Sequence, residues 1–437
     1  MRKSLSLIFF LIIILAGCEN SIIQPPQPEH PTRTYASGKY SVTIMTDWVT
    51  NGENPPSFTV ALKNEDSDTI TEQLKLIVTT DLKESYTMVC DSLTVPFNET
   101  AQKKLAFQAE PGFYDCTLFV EDSIVFQKTI GHSPTEIKAI TDYQDDFDQF
   151  WTNTIEEVNS MAVNYTLTPI DSLNTTSHKI YQLNFESTPD LSSNGNPVAV
   201  GGYLSIPTTE GKHPAILNTQ GLGTGGEKPW PTDVEGFCRL ELYARGQFFY
   251  LNNTYGDWIS FGLKNKETYY YKKAVSDVLM ALRCLKSMEF VDTDNIFASG
   301  GSQGGALSIA AAAFDHSVNS IAVTIPFLGD YPNSAKIAYW PAQYLIDTGT
   351  GLGLTHSETL KLLSYFDAKN WATKITCPIL FEFSLQDPFC PPRTTMAIYN
   401  NLTNTPEKSY NYNPLNGHSG SDHFQADYET FFRKHLR

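Results

Sequence analysis

A serine between two pairs of glycines has the residue types and spacing of a catalytic nucleophile. Ser302 lies in GGSQGG, after the branched and aromatic run NIFASG and before an alanine-rich stretch. This order predicts a strand, a sharp turn and a helix, which is the setting of a nucleophile elbow. The glycines leave room for the turn, and the N-terminus of the helix stabilises negative charge that develops beside the serine. We therefore interpret Ser302 as a nucleophile rather than a polar residue of a glycine-rich turn.

A serine hydroxyl needs a base to take its proton and an acid to orient that base. Downstream of this kind of turn the acid comes first, at a strand end, and the histidine follows in a late loop. Asp387 ends the strand-like run ILFEFSLQD, and His418 lies in NPLNGHSGSD, between the predicted strand SYNYN and the last helix. The sequence thus predicts a triad of Ser302, Asp387 and His418.

Three other residues compete for the roles of base and acid. His423 is a second candidate base, but it falls at the entry to the C-terminal helix, where surface residues are usual. His418 is favoured because the preceding Asn-Gly pair forms a turn and places it at a loop tip. Asp347 and Asp367 are alternatives to Asp387 as the acid of the triad, but neither follows a strand-like run. We interpret both as surface carboxylates, helix caps or turn residues.

The third requirement of acyl transfer is a pair of backbone N–H groups that bind the developing oxyanion. One should come from Gln303, directly after the nucleophile. The other should come from the glycine-rich loop GLGTGG, Gly221 to Gly226, after the predicted strand PAILNTQ. Leu222 is the preferred donor and Gly223 the alternative, while a flexible turn without chemistry is the competing interpretation of this loop.

The elements that must position these residues fall into two units along the 437 residues. From 35 to 135, short runs with apolar residues at alternate positions predict an immunoglobulin-like β-sandwich. From 136 to 437, strands alternate with helices, which predicts an α/β domain with a mostly parallel sheet covered on both faces. Helices are predicted at 145–161, at 269–288 and at the C-terminus, and a further strand at 236–246.

The N-terminus has the features of an export signal. Arg2 and Lys3 precede an apolar run that is too short for an ordinary transmembrane helix, and LAGC follows it. This pattern resembles the bacterial lipobox, so we expect a lipoprotein signal peptide at 1–17, lipidation of Cys18 and a proline-rich linker at 18–34. The alternative is an ordinary signal peptide with an incidental cysteine. The expected location is the bacterial cell envelope, on its periplasmic or its outer face.

The charge and the cysteine content of the chain argue against some classes of partner and against a zinc site. The formal net charge is -17, without a cluster of Lys or Arg, which argues against nucleic acid or anionic lipid as a partner surface. The cysteines after Cys18 form no CxxC pair, so no zinc site is expected. Because an exported protein can form disulfides, we hypothesise that Cys90 and Cys116 bridge neighbouring strands of the sandwich.

Several segments together resemble the acetyl xylan esterase and cephalosporin C deacetylase family, which is carbohydrate esterase family seven. The resemblance extends from about residue 144 to the C-terminus, in the family's order. The matching segments are YARGQ (Tyr243–Gln247), TYYYKKAVSDVLMAL (Thr268–Leu282), GGSQGG (Gly300–Gly305), PFL (Pro326–Leu328), LSYFDAKNWA (Leu363–Ala372), DPFCPPRTTMAIYN (Asp387–Asn400) and GHSGSDHFQ (Gly417–Gln425).

The resemblance implies an α/β-hydrolase fold and a serine esterase that removes acetyl groups from small acetylated sugars and xylo-oligosaccharides. It also implies the same triad, with oxyanion donors at Gln303 and Leu222. Arg245, Gly246 and Gln247 match a family motif that is interpreted as structural. No metal or organic cofactor is expected, and the family's hexameric rings leave a homo-oligomer open for this chain.

The chain departs from the family pattern at three places. Ser419 follows the predicted catalytic histidine where the family usually has glutamate, and Tyr243 stands where an aspartate is usual. The loop from Phe248 to Trp258 is also shorter than its family counterpart. These departures leave the triad intact and affect the expectations for substrate choice, pocket entrance and oligomeric state.

Two other classes of function fit part of the pattern. A serine peptidase of the prolyl oligopeptidase type shares the glycine-flanked serine. However, its N-terminal propeller needs several blades, and the roughly 100 residues of the predicted sandwich are too few to form them. A carboxylesterase with another substrate would share the triad. A non-catalytic lipoprotein that binds glycans through the sandwich would leave the three triad positions unexplained.

Overall fold

The structure is a computed structural model that describes residues 35–36, 38–223, 234–247 and 255–437. The predicted signal peptide at 1–17, Cys18 and the linker at 18–34 therefore lie outside the described residues. The same holds for residues 224–226 of the glycine-rich loop and 248–254 of the shortened loop. In the described ranges, no helix is both long and apolar enough to cross a membrane.

Nine strands precede residue 133 and form two sheets. They are β1 (Tyr35–Ala36), β2 (Tyr40–Thr46), β3 (Val49–Thr50), β4 (Ser57–Asn64), β5 (Ile70–Thr80), β6 (Tyr86–Val95), β7 (Thr100–Ala106), β8 (Gly112–Val120) and β9 (Ser123–His132). One sheet has the order β1-β2-β4-β7 and the other the order β3-β9-β8-β5-β6. Alternate residues of β2, β4 and β5 are buried, because successive side chains of a strand point to opposite faces and only one face packs inward.

Strands β6 and β7 were not predicted from the sequence. Most side chains of both strands are exposed or only half-buried, including Tyr86 and Met88 of β6. Both lie at the edge of their sheets, so the alternation of apolar and polar residues that reveals a half-buried strand is weak in them.

The hypothesis of a disulfide between Cys90 and Cys116 is wrong. Both cysteines are free, Cys90 exposed and Cys116 buried. They lie on β6 and β8, which flank β5 on opposite sides and are not neighbours. Cys90 pairs with Lys75 and Cys116 with Val78 along β5, so the two are separated by two inter-strand spacings of about 4.8 Å each and are also offset along the strands. That separation exceeds the reach of a disulfide.

The second part of the chain contains one nine-stranded sheet. Its strands are β10 (Tyr165–Pro169), β11 (His178–Ser187), β12 (Val198–Pro207), β13 (His213–Thr219), β14 (Cys238–Tyr243), β15 (Val291–Gly301), β16 (Val318–Thr324), β17 (Ile379–Ser384) and β18 (Lys408–Asn413). The order is β10-β11-β12-β14-β13-β15-β16-β17-β18, antiparallel from β10 to β14 and parallel from β14 to β18.

Nine described helices accompany this sheet. They are α1 (Phe147–Ser160), α2 (Tyr270–Ser287), α3 (Gln303–Phe314), α4 (Tyr331–Ile337), α5 (Tyr344–Gly351), α6 (His356–Leu363), α7 (Ala368–Ala372), α8 (Pro392–Asn400) and α9 (Phe424–Lys434). Successive residues of β15 face different helices: Phe297 packs with residues of α9, and Ala298 belongs to the core that includes α2 and α3. Helices therefore cover both faces of the sheet.

The predicted fold class is confirmed: a mostly parallel sheet with helices on both faces follows an N-terminal β-sandwich. The helices predicted at 145–161 and 269–288 correspond to α1 and α2, and the strands around Ser302, Asp387 and His418 are present. Strands β10, β11 and β12 were not predicted.

Candidate active site

Ser302 lies in the turn between β15 and α3, with the backbone angles φ 54° and ψ -122°. Positive φ is unusual for a residue with a side chain and marks a strained turn. The flanking glycines make the turn possible: a Cβ on Gly304 would lie 1.9 Å from the carbonyl oxygen of Thr219, and one on Gly300 would lie 2.7 Å from it. The serine side chain is thereby held at the C-terminal end of β15, an interior strand of the sheet.

A chain of hydrogen bonds joins the three predicted triad residues. His418 Nε2 lies 3.0 Å from Ser302 Oγ, and His418 Nδ1 lies 2.8 Å from Asp387 Oδ2. The other carboxylate oxygen of Asp387 accepts the backbone N–H groups of Phe389 and Cys390, each at 2.9 Å. An ionised carboxylate can only accept, so Nδ1 carries a proton and Nε2 is free to accept the serine hydroxyl proton. This is the arrangement that a general base requires.

The histidine-bearing loop is held by polar residues of β17 and of the short segment between this strand and Asp387. Buried Glu382 accepts the backbone N–H and the hydroxyl of Ser421, at 2.8 and 2.6 Å. Two residues later, Ser384 donates to the carbonyl of Ser419 at 2.7 Å. Gln386 continues this pattern. These three residues were not predicted from the sequence, although their alternation with Phe383 and Leu385 in EFSLQ indicates a polar face on an otherwise apolar run.

Gln386 connects the acid, the histidine loop and the sandwich. Its side-chain Nε2 donates to the carbonyl of Pro414 at 2.8 Å, and its backbone N–H donates to that of Asn416. The same amide group forms two bonds of 3.0 Å with the backbone of Thr129 in β9, accepting its N–H and donating to its carbonyl. The residue before Asp387 is thus held by hydrogen bonds to the histidine loop and to the sandwich.

We expect Gln386→Leu to lower kcat about tenfold to a hundredfold, because small displacements of an acid or base cost that much. Asn400→Leu is the matched control, since its amide also binds the segment after the sandwich, at Pro134 and Ile137, but on α8 and without a contact to the triad. Both variants should lose stability, and only Gln386→Leu should change the pH dependence of kcat. Equal losses of kcat in the two variants would show that Gln386 serves docking alone.

The expected oxyanion donors lie at one edge of the sheet. Gln303 is the first residue of α3, and its buried side chain accepts the hydroxyl of Tyr271 at 3.0 Å. Leu222 follows β13, the parallel neighbour of β15, and Gly223 has a φ of +75°. Because parallel strands end at the same edge, Leu222 and Ser302 are brought to the same side of the sheet.

Aromatic rings and one thiol border the triad. Phe389 contacts His418 edge to face at a centroid distance of 5.4 Å, and Trp340 contacts Phe389 at 5.6 Å. Cys390, Asp387 and His418 each have a potential metal ligand atom within 4.8 Å of the others. However, burial raises the pKa of the Cys390 thiol, and the facing atoms of the acid and the base already bind each other. This donor set is poorly suited to a metal ion, because the thiolate is the form that binds metals.

The rival residues lie apart from this chain of hydrogen bonds. His423 is exposed at the N-terminal end of α9, and Asp347 is exposed on α5. Asp367 is not a surface carboxylate, which was one of the interpretations offered for it. It is fully buried and caps α7, and it also accepts the backbone N–H groups of Asp330 and Tyr331.

Arg245 is the centre of a buried ion cluster. Its guanidinium lies 2.5 Å from Asp277 of α2 and 2.9 Å from Asp190. Burial opposes the charge, but the two carboxylates outweigh it and raise the pKa of Arg245. Gly246 has a φ of +77°, and a Cβ there would lie 2.3 Å from the ring of Tyr255. Gln247 is buried as well, so all three motif residues lie in the interior.

The two residues that depart from the family pattern are Tyr243, at the end of β14, and Ser419, in the histidine-bearing loop. The ring of Tyr243 contacts that of Tyr203 on β12. Ser419 is exposed, and its backbone rather than its side chain takes part in holding the loop.

Much of the chain is similar to proteins named as acetyl esterases or acetyl xylan esterases. A profile of the acetyl xylan esterase family matches residues 135–436. The acetyl esterase Axe7A of Xylanibacter ruminicola is 29% identical over 333 residues, which are 71% of each chain. The structure of acetyl xylan esterase 1 from Thermoanaerobacterium sp. JW/SL YS485 is 26% identical with a TM-score of 0.62 and covers 70% of this chain and 98% of its own.

The acetyl xylan esterase from Paenibacillus sp. R4 gives nearly the same result, with 25% identity, a TM-score of 0.62 and coverage of 69% of this chain and 98% of its own. The solved relatives are thus matched over almost their whole length, whereas the family profile begins only after the sandwich. The resemblance noted in the sequence is confirmed: the chain belongs to the acetyl xylan esterase family and is a carboxylic ester hydrolase.

Proposed function

We propose that this protein is a serine esterase that removes O-acetyl groups from acetylated sugars and xylo-oligosaccharides. The observation that carries the proposal is the continuous hydrogen-bonded chain from Ser302 through His418 to Asp387. It lies in a chain whose family and relatives are named for acetyl esters.

In the proposed mechanism, Ser302 Oγ attacks the acetyl carbonyl carbon while His418 Nε2 takes the hydroxyl proton. The oxyanion accepts hydrogen bonds from the backbone N–H groups of Gln303 and Leu222. His418 then returns the proton to the departing sugar oxygen, which leaves an acetyl-serine. Water attacks this ester with the same base, releasing acetate and restoring Ser302. Asp387 keeps Nδ1–H oriented throughout and stabilises the imidazolium.

The rival functions have less support. Residues 38 to 132 form the two sheets of a sandwich and not the blades of a propeller, so the hallmark of the prolyl oligopeptidase type is absent from the described part. A binding protein without catalysis would not need a strained serine facing an oriented histidine.

The experiment is acetate release by the purified protein from acetylated xylo-oligosaccharides, beside p-nitrophenyl acetate and a chromogenic dipeptide amide. We expect hydrolysis of both esters and not of the amide. Hydrolysis of p-nitrophenyl acetate alone would support an esterase but would refute acetylated sugars as its substrates. Cleavage of the amide would favour a peptidase.

A further inference from the structure

A cavity of about 330 Å³ lies between the sandwich and the loop that carries the acid. This volume is at the lower end of the range of about 300 to 1,000 Å³ that is typical of ligand pockets. The sandwich and the catalytic part both contribute to its wall, which includes Asp81, Asp115, Thr129, Ala338, Tyr339 and Asp387.

The walls of this interdomain cavity are fixed by direct contacts. Arg393 binds Asp81 with two hydrogen bonds of 2.6 and 2.8 Å, and both side chains are nearly buried. Gln386 binds the backbone of Thr129, as described above. A preformed site avoids the entropy cost of ordering its walls when a ligand binds.

The chemistry of the cavity suits a neutral, hydroxyl-rich ligand. Asp115 is exposed and accepts the hydroxyl of Thr129 with one oxygen, and among the described residues it pairs with no cation. An ionised carboxylate has about four lone-pair sites, so acceptors remain for ligand hydroxyls. Tyr339 is 62% exposed, and its side chain offers an apolar ring with a polar edge. An anionic ligand would be repelled by the carboxylates.

The cavity adjoins the triad through Asp387, which lines it and binds His418. Asp387 and Pro388 line it, and the next residue, Phe389, contacts His418. Tyr339, which also lines the cavity, is followed by Trp340, which contacts Phe389. The rings of Phe389 and Trp340 therefore lie between Ser302 and the residues that line the cavity.

We propose that the interdomain cavity binds the sugar chain next to the residue that is deacetylated, so that the sandwich contributes to the choice of oligosaccharides over single sugars. This inference rests on the proposed deacetylase function. It assigns to the sandwich a role within the active site rather than that of a separate binding module.

The test is binding of unacetylated xylotetraose by calorimetry, together with kcat/KM for p-nitrophenyl acetate, for the wild type and three variants. Ala338→Trp fills the cavity, and Tyr339→Ala removes the exposed ring. Phe97→Ala is the control, because Phe97 is equally exposed but follows the end of β6 that lies away from Asp81. We expect the first two variants to weaken binding about tenfold or more, as loss of a contact of this kind usually does, and the control to leave it unchanged.

Absence of binding by the wild type, or unchanged binding by Ala338→Trp and Tyr339→Ala, would overturn the inference. The kcat/KM values of the variants for p-nitrophenyl acetate should stay close to the wild-type value. If Ala338→Trp loses this activity, the binding of xylotetraose by Tyr339→Ala decides whether the inference holds. Failure of the proposed function gives a different result: xylotetraose binds and its binding depends on Tyr339, yet the acetylated form releases no acetate.

Discussion

Ser302→Ala is expected to lower kcat for p-nitrophenyl acetate by about four to six orders of magnitude, as removal of the serine does in other triads. In the proposed mechanism the hydroxyl oxygen of Ser302 forms the acyl-enzyme, and the nearby Cys390 thiol is a poor replacement because burial raises its pKa and keeps it protonated. Because Ser302 already adopts a positive φ with a Cβ, alanine adds no new steric conflict. Circular dichroism and the thermal midpoint should therefore match the wild type.

The control for this variant is Ser419→Ala. Ser419 follows the proposed base directly, but its side chain is exposed and its backbone makes the structural contacts. Its activity should stay within about a factor of three of wild type, as is usual for surface substitutions. If Ser302→Ala retained more than about a tenth of the activity, Ser302 would not be the nucleophile.

Asp277→Asn is expected to lower the free energy of unfolding by about 3–5 kcal/mol, the usual effect of removing one partner from a buried ion pair. Asp277 is fully buried and binds the guanidinium and the backbone N–H of Arg245. Asparagine keeps the shape but leaves the positive charge compensated only by Asp190. Urea unfolding measures the difference.

Asp148→Asn is the matched control for the buried variant. Asp148 pairs with Lys374 at 2.6 Å, but the aspartate side chain is 71% exposed. Exposed pairs contribute about 0 to 1 kcal/mol, so this variant should be nearly neutral. Equal effects of the two substitutions would show that the Arg245 cluster does not stabilise the fold.

The cluster should also give stability a dependence on acid pH. Burial opposes ionisation of Asp190, but Arg245 and neighbouring hydroxyls hold the pKa of this carboxyl below its usual value. A lowered pKa stabilises the fold above the unfolded value of about 3.9, and the gain disappears as the pH falls through the folded pKa. The stability difference between wild type and Asp190→Asn should shrink below about pH 4.

The sequence was most informative where local chemistry determines the structure. The turn at Ser302 follows from its glycines, and the strand before Asp387 follows from its apolar run. By contrast, strand order in a sheet depends on distant segments. The position of β5 between the strands of Cys90 and Cys116 could not be deduced locally, and the disulfide hypothesis failed for that reason.

Side-chain roles that depend on a distant unit were also inaccessible. In the sequence, Gln386 is simply a polar residue before the acid. Only the folded chain shows that it binds Thr129, which lies 257 positions earlier. Asp367 lacks a preceding strand in the sequence, yet it is buried because it caps α7 and binds backbone N–H groups from another segment.

The contact between the Gln386 amide and β9 has a consequence for a sandwich that is separated from the rest of the protein. The N–H and carbonyl of Thr129 bind Gln386. They point to the side on which Gly131, two residues later, binds the carbonyl of Trp48, because bonding directions alternate along an antiparallel strand. The amide therefore occupies the place of a residue in a neighbouring strand. An uncovered strand edge is a template for pairing with other chains. A sandwich cut from the rest of the protein would expose this edge, and we expect self-association rather than unfolding to limit its solubility.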